Sequence, residues 1–269
     1  MSARDDPRLR PYRNLQAGAD PDRFIVEGAL AVARLLATGG VRTPGVAALE
    51  VESVVCTPSQ RARLELPAGL PVVELSKPEM AQLVGFAFHR GVLACARRPR
   101  PNRELDPALV EQLRARERVT VVVAEGLADP RNLGALIRNV AGFSADLLIA
   151  DARGADLYSR LAIRASVGNV FRVPCVVSDA LPSMIASLAR ELPAEIIAAT
   201  PEPTAELVQR FEPPAKQVLL VGNEGAGLSP ELLACADHRV RIPVAHGSDS
   251  LNVAAATAVL LYALTCARG

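Results

Sequence analysis

The sequence of 269 residues predicts an α/β fold whose main sheet is mostly parallel and covered by helices on both faces. Two observations lead there. Apolar runs recur through the second half of the chain with helical patterns between several of them, and strands buried on both faces read as continuous apolar runs rather than alternating ones. The segment Arg97 to Pro107, RRPRPNRELDP, interrupts this texture with three prolines and four arginines, as a linker does. The expected division is a small α/β unit over 1–97, a linker over 98–116 and a larger unit over 117–269.

In the front unit a helical pattern covers Glu27 to Ala37, and Val51–Cys56, Pro71–Leu75 and Val92–Ala96 read as short strands. In the larger unit the strand candidates are Val119–Ala124, Leu147–Ala150, Val173–Val177, Glu195–Ala199, Val218–Val221 and Val240–Pro243. Ligands of parallel α/β sheets gather at the carboxyl ends of the strands, so the loops that follow these runs are where chemistry is expected.

Composition narrows the function classes. Half of the residues are hydrophobic and 22% are charged, which is enough apolar material for a buried core. Aromatics make up only 3%, which argues against gripping single-stranded RNA by stacking bases on rings. The net charge of +1 carries no message, but Arg4, Arg8, Arg10, Arg13 and Arg23, and again Arg97, Arg98, Arg100 and Arg103, form clusters that suit either phosphates or plain solvated surface. Five widely spaced cysteines without a CxxC pair argue against a disulfide framework or a zinc site, and point to a reducing compartment. His89, His238 and His246 lack metal-ligand spacing, so no metal is expected. The N-terminus is charged and proline-bearing, unlike a signal peptide, and the apolar stretch Val253–Leu264 falls short of the roughly 20 residues that span a bilayer. The expectation is a cytoplasmic protein without a membrane partner.

Three segments carry chemical information. After the strand ending at Ala124 comes Asp129-Pro130-Arg131-Asn132-Leu133-Gly134-Ala135-Leu136-Ile137-Arg138-Asn139, which opens a helix; alone, it fits an Asn132 cap with a solvated arginine as well as a guanidinium placed to clamp a phosphate. After Val221 comes Gly222-Asn223-Glu224-Gly225-Ala226-Gly227, ahead of a helix opened by Ser229-Pro230. It is either a tight turn or a loop whose backbone meets a ligand closely, and its glycine order GxxGxG departs from the GxGxxG of dinucleotide sites. Glu224 in that loop calls for a cationic partner such as Arg138. The third segment, Ile242-Pro243-Val244-Ala245-His246-Gly247-Ser248-Asp249-Ser250-Leu251-Asn252-Val253, leads into an alanine-rich helix that Ser250 or Asn252 can cap.

With NLGALIRN, VGNEGAGLS and IPV…SLNV in this order, the chain resembles the SpoU family of RNA 2′-O-ribose methyltransferases, within the trefoil-knotted methyltransferase superfamily. RASVGNVFRVP, Arg164 to Pro174, is similar to the family's intervening segment, and RFIVEGALAVARLL and HRGVLACARRP resemble the small L30e-like substrate-binding domain that some members carry. Three positions depart from the pattern: Ser144 stands where glycine usually follows phenylalanine, Ala254 replaces a serine after SLNV, and the glycine before SLN is displaced beside His246.

The resemblance implies a C-terminal stretch threaded into a deep trefoil knot, a topology that general chain-threading rules would discard. It also implies S-adenosylmethionine held near Thr200, Gly222, Asn223, Ile242 and Leu251, and a homodimer whose active site is completed across the interface. By the same resemblance Arg138 activates the ribose hydroxyl, as a base or as a phosphate-binding cation, while Asn132, Ser250 and Asn252 orient the reacting groups and Glu224 holds the guanidinium. Structured RNA is the implied substrate, ribosomal rather than transfer RNA because members acting on a tRNA loop often lack a front domain. A non-catalytic RNA-binding protein and a nicotinamide-dependent oxidoreductase are the competing classes. The complete residue set argues against the first and the glycine order against the second.

Overall fold

The computed structural model describes residues 6–13, 15, 20–39, 43–223, 225–245 and 251–266. After a 3₁₀ turn at Pro7–Tyr12, the front unit runs β1 (Arg23–Glu27), α1 (Ala29–Leu36), β2 (Val51–Cys56), the short α2 (Pro58–Arg61), β3 (Val72–Glu74), α3 (Lys77–Val84) and β4 (Val92–Arg97). Its sheet has the order β1-β4-β2-β3, with β4 antiparallel to both neighbours and β3 parallel to β2. The helical pattern expected from Glu27 starts two residues later, because RFIVE alternates between half-buried and buried positions and pairs with β4 as a strand. Gly28, at φ 96, makes the turn from strand to helix, a conformation that costs glycine little.

The second half of the expected linker is a helix, α4 (Pro107–Arg114), rather than plain connection. Asp106 caps it by accepting from the Ala108 N–H at 2.9 Å, Pro107 occupies the first turn, and Leu109, Val110 and Leu113 bury themselves against the larger sheet. The larger unit continues with β5 (Val119–Ala124), α5 (Pro130–Gly142), β6 (Leu147–Asp151), α6 (Arg160–Ala165), a 3₁₀ turn at Asn169–Phe171, β7 (Cys175–Ser178), α7 (Leu181–Glu191), β8 (Glu195–Ala199), the two-residue β9 (Glu206–Leu207), β10 (Lys216–Val221), α8 (Pro230–Cys235), β11 (His238–Arg241) and α9 (Val253–Leu261). Seven strands form one parallel sheet in the order β7-β6-β5-β10-β8-β11-β9.

Period-2 alternation divides the apolar runs between two cores. Val122, Ala124, Leu148, Ala150, Leu219 and Val221 face α5 and α9, while Val121, Val123, Leu147, Ile149, Val218 and Leu220 face α4, α7 and α8. The first core also reaches the front unit. Phe24 of β1 packs on Tyr158 and Phe171, with ring centroids 5.4 and 5.9 Å away, and full burial of a phenylalanine such as Phe171 stabilises by roughly 1.5–3 kcal/mol. Ion pairs join the same seam: Arg98 to Asp156 at 2.5 Å and Arg164 to the buried Glu27 at 3.5 Å. Among the described residues no helix is long and apolar enough to cross a membrane.

Candidate active site

Helix α5 opens on Asp129, not on Asn132. The Asp129 carboxylate accepts from the Arg131 N–H at 2.8 Å and Pro130 takes the first helical position. That cap leaves the Asn132 side chain available, and its Oδ1 accepts from Asn252 Nδ2 at 3.0 Å. Asn252 in turn caps α9, its Oδ1 accepting from the Ala254 and Ala255 N–H groups at 2.9 and 3.4 Å. One amide therefore starts a helix with its oxygen and clasps a second helix with its nitrogen. Asn139, unassigned from sequence, repeats the clasp two turns along by donating to the Ala254 carbonyl at 2.6 Å. The buried stripe of α5 is Leu133, Gly134, Leu136, Ile137 and Val140, and Arg138 stands off it, exposed.

The loop after β10 is folded on itself by Asn223. Its backbone exchanges hydrogen bonds with Gly227 at 3.1 and 2.9 Å, its Oδ1 accepts from the Gly225 and Ala226 N–H groups at 2.8 and 3.2 Å, and its Nδ2 donates to the Gly126 carbonyl at 2.9 Å. Asn223 is thus an organiser of the loop as well as part of a cavity wall. Gly222 has no room for a side chain: a Cβ there would lie 2.3 Å from the Gly227 carbonyl carbon. The buried Glu125, just after β5, holds the far end of the loop by accepting from the Ser229 N–H at 2.7 Å.

The carboxyl ends of β8, β10 and β11 open on a cavity of about 450 Å³. Thr200, Gly222, Asn223, Ile242 and Leu251, expected from sequence around a donor, all line it, together with Leu228, Val240, Val253 and Leu260. Glu202 also lines it and was missed by the sequence reasoning; it pairs with Arg239 at 3.1 Å. Asn252 sits in the chain between two lining residues, Leu251 and Val253, so the clasp to Asn132 lies at the cavity's wall. Glu224, His246 and Ser250 lie outside the described residues.

The arginine cluster at the seam behaves differently from a free basic patch. Arg23 and Arg97 share Glu52, at 2.6 and 3.2 Å, Arg98 pairs with Asp156, and Arg103 with Asp179 at 3.3 Å. Burial works against the Glu52 charge, but the two guanidiniums outweigh it and hold the carboxyl below the usual range.

The SpoU rRNA Methylase family matches residues 119–262, more than half of the chain. An uncharacterised tRNA/rRNA methyltransferase of Mycobacterium bovis is 36% identical over 97% of this chain and 89% of its own length. The 23S rRNA guanosine 2′-O-methyltransferase RlmP of Bacillus subtilis is 26% identical over 90% and 88%. The solved structure of the SpoU methyltransferase AviRb from Streptomyces viridochromogenes, in complex with AdoMet, is 22% identical and shares the fold, with a TM-score of 0.75 over 97% of this chain and 98% of that one. With two of the three segments lining one cavity of a seven-stranded parallel sheet and the first tied to its wall by the Asn132–Asn252 hydrogen bond, the chain belongs to the SpoU rRNA methylase family.

Proposed function

We propose that this protein transfers a methyl group from S-adenosylmethionine to a ribose 2′-hydroxyl of ribosomal RNA, 23S rRNA being the favoured substrate. The observation that carries the reading is the cavity at the strand ends, walled by all five residues expected around the donor and adjoined by the Asn132–Asn252 clasp. Its volume falls in the range of small-molecule sites, roughly 300–1,000 Å³. Its walls suit a nucleoside-like ligand: apolar side chains for a flat base, Thr200 and loop backbone for polar edges, and a Gly222 whose missing Cβ lets backbone come close. The relatives add support, since RlmP is named for 23S rRNA and AviRb was solved with AdoMet.

When bound, S-adenosylmethionine supplies an electrophilic methyl group that is passed on by in-line displacement. Thr200, Gly222, Asn223, Ile242 and Leu251 would hold it. Alignment of donor and acceptor supplies up to ~7–11 kcal/mol of barrier reduction, the share that a rigid cavity provides. The remaining difficulty is a weakly acidic hydroxyl. Arg138 meets it as a charged guanidinium, which binds the substrate phosphate and stabilises the oxyanion as the proton passes to solvent water; a guanidinium holds its own proton too firmly to serve readily as a base. Asn132, Ser250 and Asn252 orient the hydroxyl, and Glu224 steadies the guanidinium.

The reading includes a homodimer and a C-terminal trefoil knot in a cytoplasmic enzyme, with the front unit as an L30e-like RNA-binding domain. In favour of the dimer, Leu251, Val259 and Tyr262 are large apolar side chains left exposed in the C-terminal segment that also supplies the cavity-lining Val253, Ala256 and Leu260. Titration calorimetry with S-adenosylmethionine, joined to mapping of 2′-O-methyl marks on rRNA from cells with and without the gene, tests the proposal. Saturable binding and one missing mark are expected, and the absence of both would refute it.

A further inference from the structure

Helix α1 of the front unit meets the larger unit at the segment between α6 and β7, and this junction gathers arginines. Arg34, half-buried on α1, donates from Nη1 to the Val167 carbonyl at 2.6 Å. Val167 stands at φ 54, a left-handed conformation that a β-branched residue adopts only under constraint. The constraint is visible on both sides. The Gly168 and Val167 N–H groups close the end of α6 by donating to the Ile163 and Arg164 carbonyls, and Gly168 is pressed so tightly on α1 that a Cβ would lie 2.9 Å from Ala31 Cα. The chain then turns through Asn169–Phe171, with Phe171 buried, and delivers Arg172 to the surface.

Arg34, Arg172 and Arg138 lie within electrostatic reach of one another: burial, then Arg172, then Arg138 lower the Arg34 pKa. Other arginines of the junction have partners. Arg164 pairs with Glu27, and Arg160 donates to the Leu15 carbonyl and covers the Phe86 ring. No described carboxylate pairs with Arg34, Arg138 or Arg172. The strained, closely packed segment holds the Arg34 fork and delivers Arg172 beside it, so an anion placed between them meets two guanidiniums already positioned.

We infer that Arg34 and Arg172 form, beside Arg138, a seat for an RNA backbone phosphate next to the target ribose, built jointly by the front unit and the larger unit. The inference rests on the proposed reaction and deepens it, assigning Arg34 and Arg172 as positioning residues. Guanidinium forks suit a phosphate's oxygens, and the Val167 carbonyl sets the direction of one fork before RNA arrives. The seat ties recognition by the front unit to the reacting nucleotide, because the phosphate is gripped only while the two units keep their junction.

The test compares wild type, Arg172→Gln and the double variant Arg34→Gln/Arg172→Gln in binding an unmodified 23S rRNA transcript across a series of salt concentrations, with methyl transfer from tritiated S-adenosylmethionine as a second readout. The double variant should lower the slope of log affinity against log salt by about 0.7–0.9, the effect of one lost phosphate contact. KM for RNA should rise about tenfold while affinity for the methyl donor stays put, a split that general structural damage would not produce. Arg172→Gln alone, which removes an exposed side chain, should raise KM by several fold and keeps the inference testable if the double variant unfolds. Wild-type slope and KM in folded variants would overturn it. If wild type bound the transcript but transferred no methyl group, the reaction would fall while the slope difference still decided the seat.

Discussion

Asn252 shows how much one side chain can hold together at this site. Its oxygen satisfies two N–H groups at the start of α9, and its nitrogen reaches Asn132 on α5. Ser144 is the opposite case, a residue at odds with its backbone. It closes α5 in a Schellman arrangement, with the Ala145 N–H donating to Val140 and its own to Ala141, at φ 54. A left-handed conformation costs a non-glycine residue about 1 kcal/mol or more, so Ser144→Gly should stabilise by about 1 kcal/mol and raise Tm by about 2–4 °C in a thermal melt. A lowered Tm would contradict that account. Asp151 carries the pH dependence. Burial alone would push its carboxyl up, but hydrogen bonds from Arg153 and from the Gly126 N–H outweigh burial and hold it below the ordinary carboxylate range. A depressed folded-state pKa contributes stability that is present above the unfolded value of about 4 and disappears as pH falls through the folded one. Asp151→Asn should therefore melt lower than wild type at neutral pH and approach it below about pH 4; parallel Tm curves would rule this out.

At the scale of elements, the contact of α5 with α6 depends on a missing side chain. A Cβ on Gly134 would lie 2.4 Å from the Ala162 carbonyl and 2.7 Å from Ala165 Cβ, whereas one on Gly142, at the end of the same helix, would meet nothing within 4 Å. Alanine gains about 1 kcal/mol of helix propensity over glycine, and overpacking costs about 1–3 kcal/mol. Sterics win at Gly134 and propensity wins at Gly142, so denaturant unfolding should show Gly134→Ala destabilised and Gly142→Ala unchanged or stabilised. Elements of this kind were largely legible in the sequence. The strands Val51–Cys56, Val119–Ala124 and Glu195–Ala199 stand where their apolar runs end, and Ser229-Pro230 opens α8 as their chemistry demands. What escaped was short or disguised. RFIVE lies next to a strong helical pattern, the two residues of β9 are too few to show a period, and α4 hides behind a proline-rich seam whose Asp106-Pro107 is itself a helix start. At the site, motif chemistry pointed to the cavity wall, but residues as far apart as Thr200 and Leu251 meet only through sheet order, which local pattern does not encode. An asparagine that feeds its own loop, as Asn223 does, reads in sequence like one that feeds a ligand.

The whole molecule couples two units through a continuous apolar core and a junction lined with arginines, and it leaves one apolar face of α9 uncovered. Val259 is 42% exposed and Tyr262, in the turn that continues α9, 58%. If a second copy covers it, Val259→Glu should move the protein from dimer to monomer in sedimentation equilibrium, since an isolated charge buried at an interface costs several kcal/mol. An unaltered dimer would place the interface elsewhere. The central claim is that a charged Arg138 beside a bound methyl donor makes a sugar hydroxyl reactive. It is tested most directly by tritiated methyl transfer to unmodified 23S rRNA, run side by side with wild type and Arg138→Ala while donor affinity is followed by calorimetry. The account predicts label on a ribose 2′-oxygen with wild type, and a loss of at least about 10²–10³-fold with the variant at unchanged donor affinity. Full transfer by folded Arg138→Ala would contradict it.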